Sequence, residues 1–237
     1  MQLRVLGAHN MESNETRLAS YLMDGVLALD AGGLTRSLSF PEQKSIKAII
    51  LSHRHFDHVR DLLPLGLFMR NAGLSIDLHA MADTAEFLTS NLFNGSLYPN
   101  FLKSTGAKNP VYRFKVFEFH KEFKVLDYTV VAVPVPHAVP AAGVFLHKDD
   151  RGLFYTGDTG RGFNSAWKHI APDTLLTEVT FGNENKSAAH ASGHLTPSIL
   201  EQELRDFHDK LGYFPKVVVS HMSPLWEEDI LTELKQV

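Results

Sequence analysis

Ile46-Lys47-Ala48-Ile49-Ile50-Leu51-Ser52-His53-Arg54-His55-Phe56-Asp57-His58 passes from an apolar, isoleucine-rich run into four candidate metal ligands within six residues. The apolar part predicts a buried strand over Ile46–Leu51. A strand that stops at Ser52 delivers the following residues at the rim of a sheet, where open α/β folds place their chemistry. Alternation along an extended segment puts His53 and His55 on one side, able to grip one metal. Asp57 and His58 come next, where a helix is expected to begin, and can serve a second metal. Imidazole with carboxylate suits zinc and its first-row neighbours rather than calcium or magnesium. The competing reading is a polar turn rich in histidine, and further ligand candidates at other strand ends argue against it.

Several segments repeat the pattern of an apolar strand with a polar tip. Val26–Asp30 ends in a carboxylate followed by Ala31-Gly32-Gly33, and a turn cap is the favoured role for Asp30 over that of orienting a ligand histidine. His137 stands among Pro134, Pro136 and Pro140, whose fixed φ suits a ligand that must not move. It supplies the third imidazole that His53 and His55 lack. Asp158 lies between Gly157 and Gly160, where backbone can approach closely, and its two oxygens suit a bridge between metals. Val217–Ser220 followed by His221 is undecided by itself, but with Asp57 and His58 it would complete the second metal. His194 precedes Thr196 and Pro197, a cap and first-position pair for a helix over Pro197–Leu211. Neither metal needs it, which makes it a candidate proton donor ahead of His190. Glu178 ends a strand and is read equally as structural or as a partner for a histidine.

The remaining chain predicts strands at Leu3–Leu6, Leu18–Met23, Ile76–His79, Val111–Phe119, Phe123–Val133, Gly143–His147, Gly152–Tyr155 and Leu175–Val179, with turns at Asp24-Gly25 and Asp149-Asp150. Helices are expected over Asp57–Arg70, Thr84–Phe93 and Trp226–Lys235. Pattern alone gives α/β or α+β in one domain over residues 1–237. Asn91–Pro110, rich in turn residues, is a candidate lid. Its Phe93, Leu97, Tyr98 and Phe101 are read as packing onto their own domain rather than stacking on a base. His120 and His147 are expected at solvated turns.

Composition narrows the function classes. The chain has 237 residues, 44% hydrophobic and 21% charged, with no cysteine and a net charge of −4. That excludes disulfides and thiolate-bound zinc. The acidic balance counts against a long phosphate backbone as partner. No run is long enough for a membrane helix, and the first residues read as a strand rather than a secretory signal, so a cytoplasmic protein with no membrane partner is expected.

The complete H-x-H-x-D-H run, with His137, Asp158 and His221 in order behind it, resembles the metallo-β-lactamase superfamily from Leu3 to about Pro224. The resemblance implies a four-layer αββα sandwich of the α/β class with two divalent metals, zinc first and manganese or iron fitting the same ligands. One metal would be held by His53, His55, His137 and Asp158, the other by Asp57, His58, His221 and the bridging Asp158. Glu178-Val179-Thr180-Phe181, Gly193-His194-Leu195-Thr196-Pro197 and Val219-Ser220-His221-Met222-Ser223-Pro224 resemble the phosphodiesterase branch, which includes class II cyclic-nucleotide phosphodiesterases and ribonuclease Z. The long basic insertion with which ribonuclease Z grips tRNA has no counterpart here. The expected function is a metal-dependent phosphodiesterase on a small phosphodiester such as a cyclic nucleotide, with His194 as acid and Asp57 orienting the nucleophile. A thioester or lactone hydrolase, a ribonuclease Z-like endonuclease and a non-catalytic binding protein are the rivals, and a homodimer is left open.

Overall fold

Both residues of the Asp24-Gly25 turn have positive φ, 47° and 74°, and Val26 N closes the turn on Met23 O at 3.0 Å before Met23 pairs with Leu27. In the computed structural model, which describes residues 1–104 and 109–237, this hairpin belongs to the first of two compact units. That unit comprises Met1–Gly7 and Arg17–Phe117; the second comprises Ala8–Thr16 and Glu118–Val237.

The first unit is one six-stranded sheet in the order β1 to β6: β1 Leu3–Gly7, β2 Ser20–Met23, β3 Leu27–Leu29, β4 Ala48–Ile50, β5 Ile76–Ala80 and β6 Tyr112–Val116. β1 to β3 form an antiparallel meander, and β3 to β6 run parallel. Helices α1 Leu34–Ser37, α2 Phe40–Ser45, α3 Phe56–Val59, α4 Leu62–Ala72 and α5 Ala82–Asn91 accompany it. Leu22, Ala28, Ile49 and Leu78 from the strands join Leu62, Leu65, Met69 and Leu88 from the helices in one core.

The helix expected over Asp57–Arg70 is two helices. Asp61 breaks it, because its carboxylate accepts hydrogen bonds from Thr35 N, Thr35 Oγ1 and Arg60 Nε. Pro64 therefore falls in the first turn of α4, where a missing N–H costs nothing. Gly66 is tolerated inside α4 because any Cβ there would meet the Phe101 ring at 2.7 Å. Phe93 and Phe101 are buried against Tyr112 in this core, as the packing reading expected, while Leu97 is exposed. Residues 105–108 of the expected lid lie outside the described residues.

The second unit repeats the plan with a six-stranded sheet ordered β12 to β7: β7 Glu122–Val125, β8 Tyr128–Val135, β9 Ala141–Lys148, β10 Arg151–Tyr155, β11 Thr174–Glu178 and β12 Lys216–Ser220. Here β7 to β10 are antiparallel, and β10 to β12 parallel. The single strand expected over Phe123–Val133 is a hairpin, turned at Leu126 with φ 53°. His147 lies on β9 rather than at a turn, and is exposed. Helices α6 Lys186–Ser192, α7 Pro197–Leu211 and α8 Glu227–Glu233 follow. Leu200, Leu204 and Phe207 of α7 pack on Val133, Phe154 and Leu175, and Trp167 meets Phe154, Phe163 and Phe207 edge-on.

The α/β class is borne out in both units. Among the described residues, no helix is long and apolar enough to cross a membrane.

Candidate metal centre

In the first unit, β3 and β4 run parallel and side by side, so Asp30 and Ser52 emerge together at their C-terminal ends. Asp30, with φ 55°, turns its carboxylate across this rim rather than capping a turn. It accepts hydrogen bonds from Ser52 N at 2.7 Å, Ser52 Oγ at 2.6 Å and His58 Nδ1 at 2.7 Å. The ring centroids of His53 and His55 lie 4.7 Å apart, and those of His53 and His58 4.3 Å apart. His55 occupies the position before α3, so Asp57 and His58 fall in that helix's only turn.

In the second unit the strand ends again carry the polar groups, but from scattered segments. His137 follows β8, Asp158 follows β10, Glu178 closes β11 and His221, with φ 54°, follows β12. His137 Nε2 lies 3.8 Å from Asp158 Oδ2, and His221 Nε2 lies 3.4 Å from Asp158 Oδ1. Each oxygen of Asp158 thus faces a different imidazole.

The hydrogen bonds fix which ring nitrogen each histidine presents. A carboxylate or carbonyl oxygen can only accept, so a ring nitrogen bonded to one carries the proton. His58 Nδ1 donates to Asp30, and His137 Nδ1 donates to Gly193 O at 2.9 Å. Ser52 Oγ gives its single proton to Asp30, so it accepts from His53 Nδ1 at 3.0 Å. Thr180 Oγ1 donates to Glu178 Oε2 at 2.6 Å and accepts from His221 Nδ1 at 2.9 Å. All four imidazoles are therefore anchored through Nδ1, which leaves Nε2 as the ligand atom of a neutral ring, the arrangement of metal-ligating histidines.

The separations agree with that chemistry. His58 Nε2 to Asp57 Oδ2 is 3.6 Å, and this and the two Asp158 distances exceed the 2.7–3.2 Å of an N–H···O hydrogen bond. Zinc bonds of 2.0–2.1 Å in a tetrahedron hold neighbouring ligand atoms about 3.3 Å apart. Separations of this size suit neighbouring ligand atoms of a divalent metal. Burial pushes the His137 imidazole below the usual histidine range, against the pull of Asp158, and the neutral ring is the form that ligates.

His194 is set differently. Gly193, with φ 71°, ends α6 in the left-handed conformation. Any side chain there would drive into the His137 backbone at 2.9 Å. The turn delivers His194 with Nδ1 2.6 Å from Glu178 Oε1. Glu178 Oε1 also accepts from Thr159 N, and Oε2 from Thr180 N and Leu195 N. Glu178, His194 and His221 lie close enough to suggest a third metal group. The 2.6 Å contact is a hydrogen bond, however, and places Glu178 as the group that orients His194. His190 is exposed on α6. Thr196 precedes α7, but its Oγ1 meets Ser198 Oγ; the cap on Ser198 N comes from Asn183 Oδ1. Sequence reasoning missed the hydroxyls of Ser52 and Thr180 and the Gly193 carbonyl. For the hydroxyls a signal was present, since each stands within two residues of a strand-end carboxylate or histidine.

The Beta-lactamase superfamily domain matches residues 21–222. A curated relative, the 3′,5′-cyclic-nucleotide phosphodiesterase of Aliivibrio fischeri, is 28% identical over 225 residues, covering 82% of this chain and 66% of the relative. The chain thus spans just under two thirds of that protein's length. Among solved structures, unliganded yeast PDE1 superposes with TM-score 0.82 at 14% identity, covering 99% of this chain and 92% of that one. The metallo-β-lactamase fold protein YhfI from Bacillus subtilis gives 0.78 at 17%, with the same coverage. The matched region takes in the H-x-H-x-D-H run and all three later ligand candidates, and the chain belongs to the metallo-β-lactamase superfamily.

Proposed function

We propose that the chain is a metal-dependent phosphodiesterase that cleaves a small phosphodiester, such as a cyclic nucleotide, at a dinuclear centre. The observation that carries this is the shared presentation of His53, His58, His137 and His221, each anchored at Nδ1 and offering Nε2. In this reading His53, His55, His137 and Asp158 hold one divalent ion, and Asp57, His58, His221 and Asp158 hold the other. Asp158 suits the shared place because its two oxygens face different imidazoles. Zinc is the first choice, with manganese or iron compatible with the same donors. The reading takes residues 1–237 as one functional domain.

When bound, such ions supply Lewis acidity and make a water molecule acidic near neutral pH. The chain's own groups do the rest. His194, with Nδ1 held by Glu178, carries a proton on Nε2 to the leaving alkoxide, as a positioned general acid does. Asp57 orients the attacking water while serving as a ligand. Similarity to the cyclic-nucleotide phosphodiesterase of Aliivibrio fischeri supports the substrate class.

The test is a parallel assay of protein loaded with zinc, manganese or iron against bis(p-nitrophenyl) phosphate, cyclic AMP, a thioester and a lactone. Turnover of the phosphodiesters is expected. Turnover confined to the thioester or lactone would assign the rival hydrolase class, and metal binding without any turnover would leave a binding protein.

A further inference from the structure

A pocket of about 530 Å³ opens in the second unit among Arg161, Lys186, Ser187, His190, Ser198 and Gln202. That volume is in the range of small-ligand sites. No carboxylate lines it. On a chain with net charge −4, this is a local reversal. Among the described residues Arg161, Lys186 and His190 form no ion pair. Two neighbouring acids bond to amides of the pocket's surroundings, and Glu203 Oε2 is buried without a hydrogen-bond partner. Glu203 accepts from Gly162 N at 2.6 Å, and Asp206 from the Asn164 and Gln202 amides. Burial raises the Glu203 carboxyl from its ordinary value, while the Gly162 N–H and the Arg161 charge pull it down. The first turn of α7 is already capped by Asn183 at Ser198 N, so recognition falls to side chains: a guanidinium, an ammonium, an imidazole and the Ser187 hydroxyl. Such a set matches the oxygens of a phosphate group.

Its location ties it to the second unit's ligands. Arg161 is three residues beyond Asp158, so their Cα atoms are at most about 11 Å apart. His190 precedes His194 by four residues on the same α6-to-turn segment. Gly160 and Gly193 bring these two segments backbone to backbone, since a Cβ on Gly160 would lie 3.1 Å from Gly193 Cα. One substrate molecule could therefore reach from Asp158 and His194 into the pocket.

We propose that this pocket binds a second phosphate group of the substrate, so that the enzyme favours phosphodiesters bearing an additional phosphate, of the dinucleotide type, over cyclic mononucleotides and aryl diesters. This rests on the phosphodiesterase reading above. The test uses the metal-loaded full chain and the Arg161→Ala, Lys186→Ala double variant. Both are assayed with a 5′-phosphorylated dinucleotide, cyclic AMP and bis(p-nitrophenyl) phosphate. Losing two charge-assisted contacts at an open site is expected to raise KM for the dinucleotide about tenfold with kcat little changed. KM for the other two should stay constant. Equal effects on all three, or none on the dinucleotide, would overturn the assignment. If the wild type cleaves none of them, the phosphodiesterase reading fails separately, and calorimetric titration with the same dinucleotide decides the pocket. About tenfold weaker binding by the double variant supports phosphate recognition, and equal affinity refutes it.

Discussion

The two units build their polar rims with the same device and opposite economy of sequence. In the first, one carboxylate and one hydroxyl, Asp30 and Ser52, anchor His53 and His58, and every ligand candidate falls within residues 53–58. In the second, Glu178 and Thr180 play the same pair of roles for His194 and His221, but the groups come from segments spread between residues 137 and 221. One set is written in local spacing. The other depends on parallel strands β10, β11 and β12 ending side by side, with His137 and His194 added from the ends of β8 and α6. The carboxylates also differ in what they serve: Asp30 bonds His58 directly and reaches His53 through Ser52, whereas Glu178 holds the proposed acid.

That contrast can be attacked at several points. Asp158→Ala removes the carboxylate whose two oxygens face different imidazoles, and activity should fall by more than the roughly 10⁴-fold upper range for losing a proton donor. Metal analysis should show less than the wild-type content, and unchanged content with unchanged turnover would break the bridging assignment. His194→Ala should lower kcat about 10²–10⁴-fold with metal content intact; a parallel loss of metal would make it a ligand instead.

The orienting carboxylates should separate more finely. Asp30→Asn is expected to weaken metal affinity about 10–100-fold, the usual cost of losing a partner behind a ligand histidine. Glu178→Gln should cost about as much in activity, and should also move the pH profile of kcat because it touches His194. Identical signatures from the two variants would erase the distinction drawn between the rims.

The smallest effect concerns His79 in β5, whose pKa burial lowers from the ordinary 6.5. The unfolded chain then binds more protons than the folded one below that value, so stability contributed here is present above about pH 6.5 and is lost as pH falls through the folded pKa. Urea midpoints measured between pH 7.5 and 5 should decline, and His79→Gln should flatten the decline.

How much of this was readable beforehand follows the same divide. Ile46–Leu51 and the run behind it announced a strand, a rim and a ligand set, because spacing of one to three residues is a local property. Helix α7 was equally plain from Leu200, Leu204 and Phe207 at helical intervals. The break at Asp61 was not, since the bonds that stop the helix go to Thr35, 26 residues away. The turn at Leu126 was hidden because leucine does not ordinarily signal a left-handed residue. Asp30 was assigned the wrong task for a similar reason: its partners Ser52 and His58 become neighbours only through the pairing of β3 with β4. For His221, spacing alone decided nothing; the partner oxygen on Thr180 comes from the adjoining strand end.

The backbone at Asp30 and His221 carries a final implication. Both are non-glycine residues bent into left-handed geometry, one behind each rim, and such conformations store on the order of 1–3 kcal/mol apiece. An occupant gripping His221 would offset that stored tension, so ion uptake ought to tighten the fold as well as equip it for chemistry. Stripping the ions with a chelator should then lower the melting temperature, with the bound cation acting as a rivet.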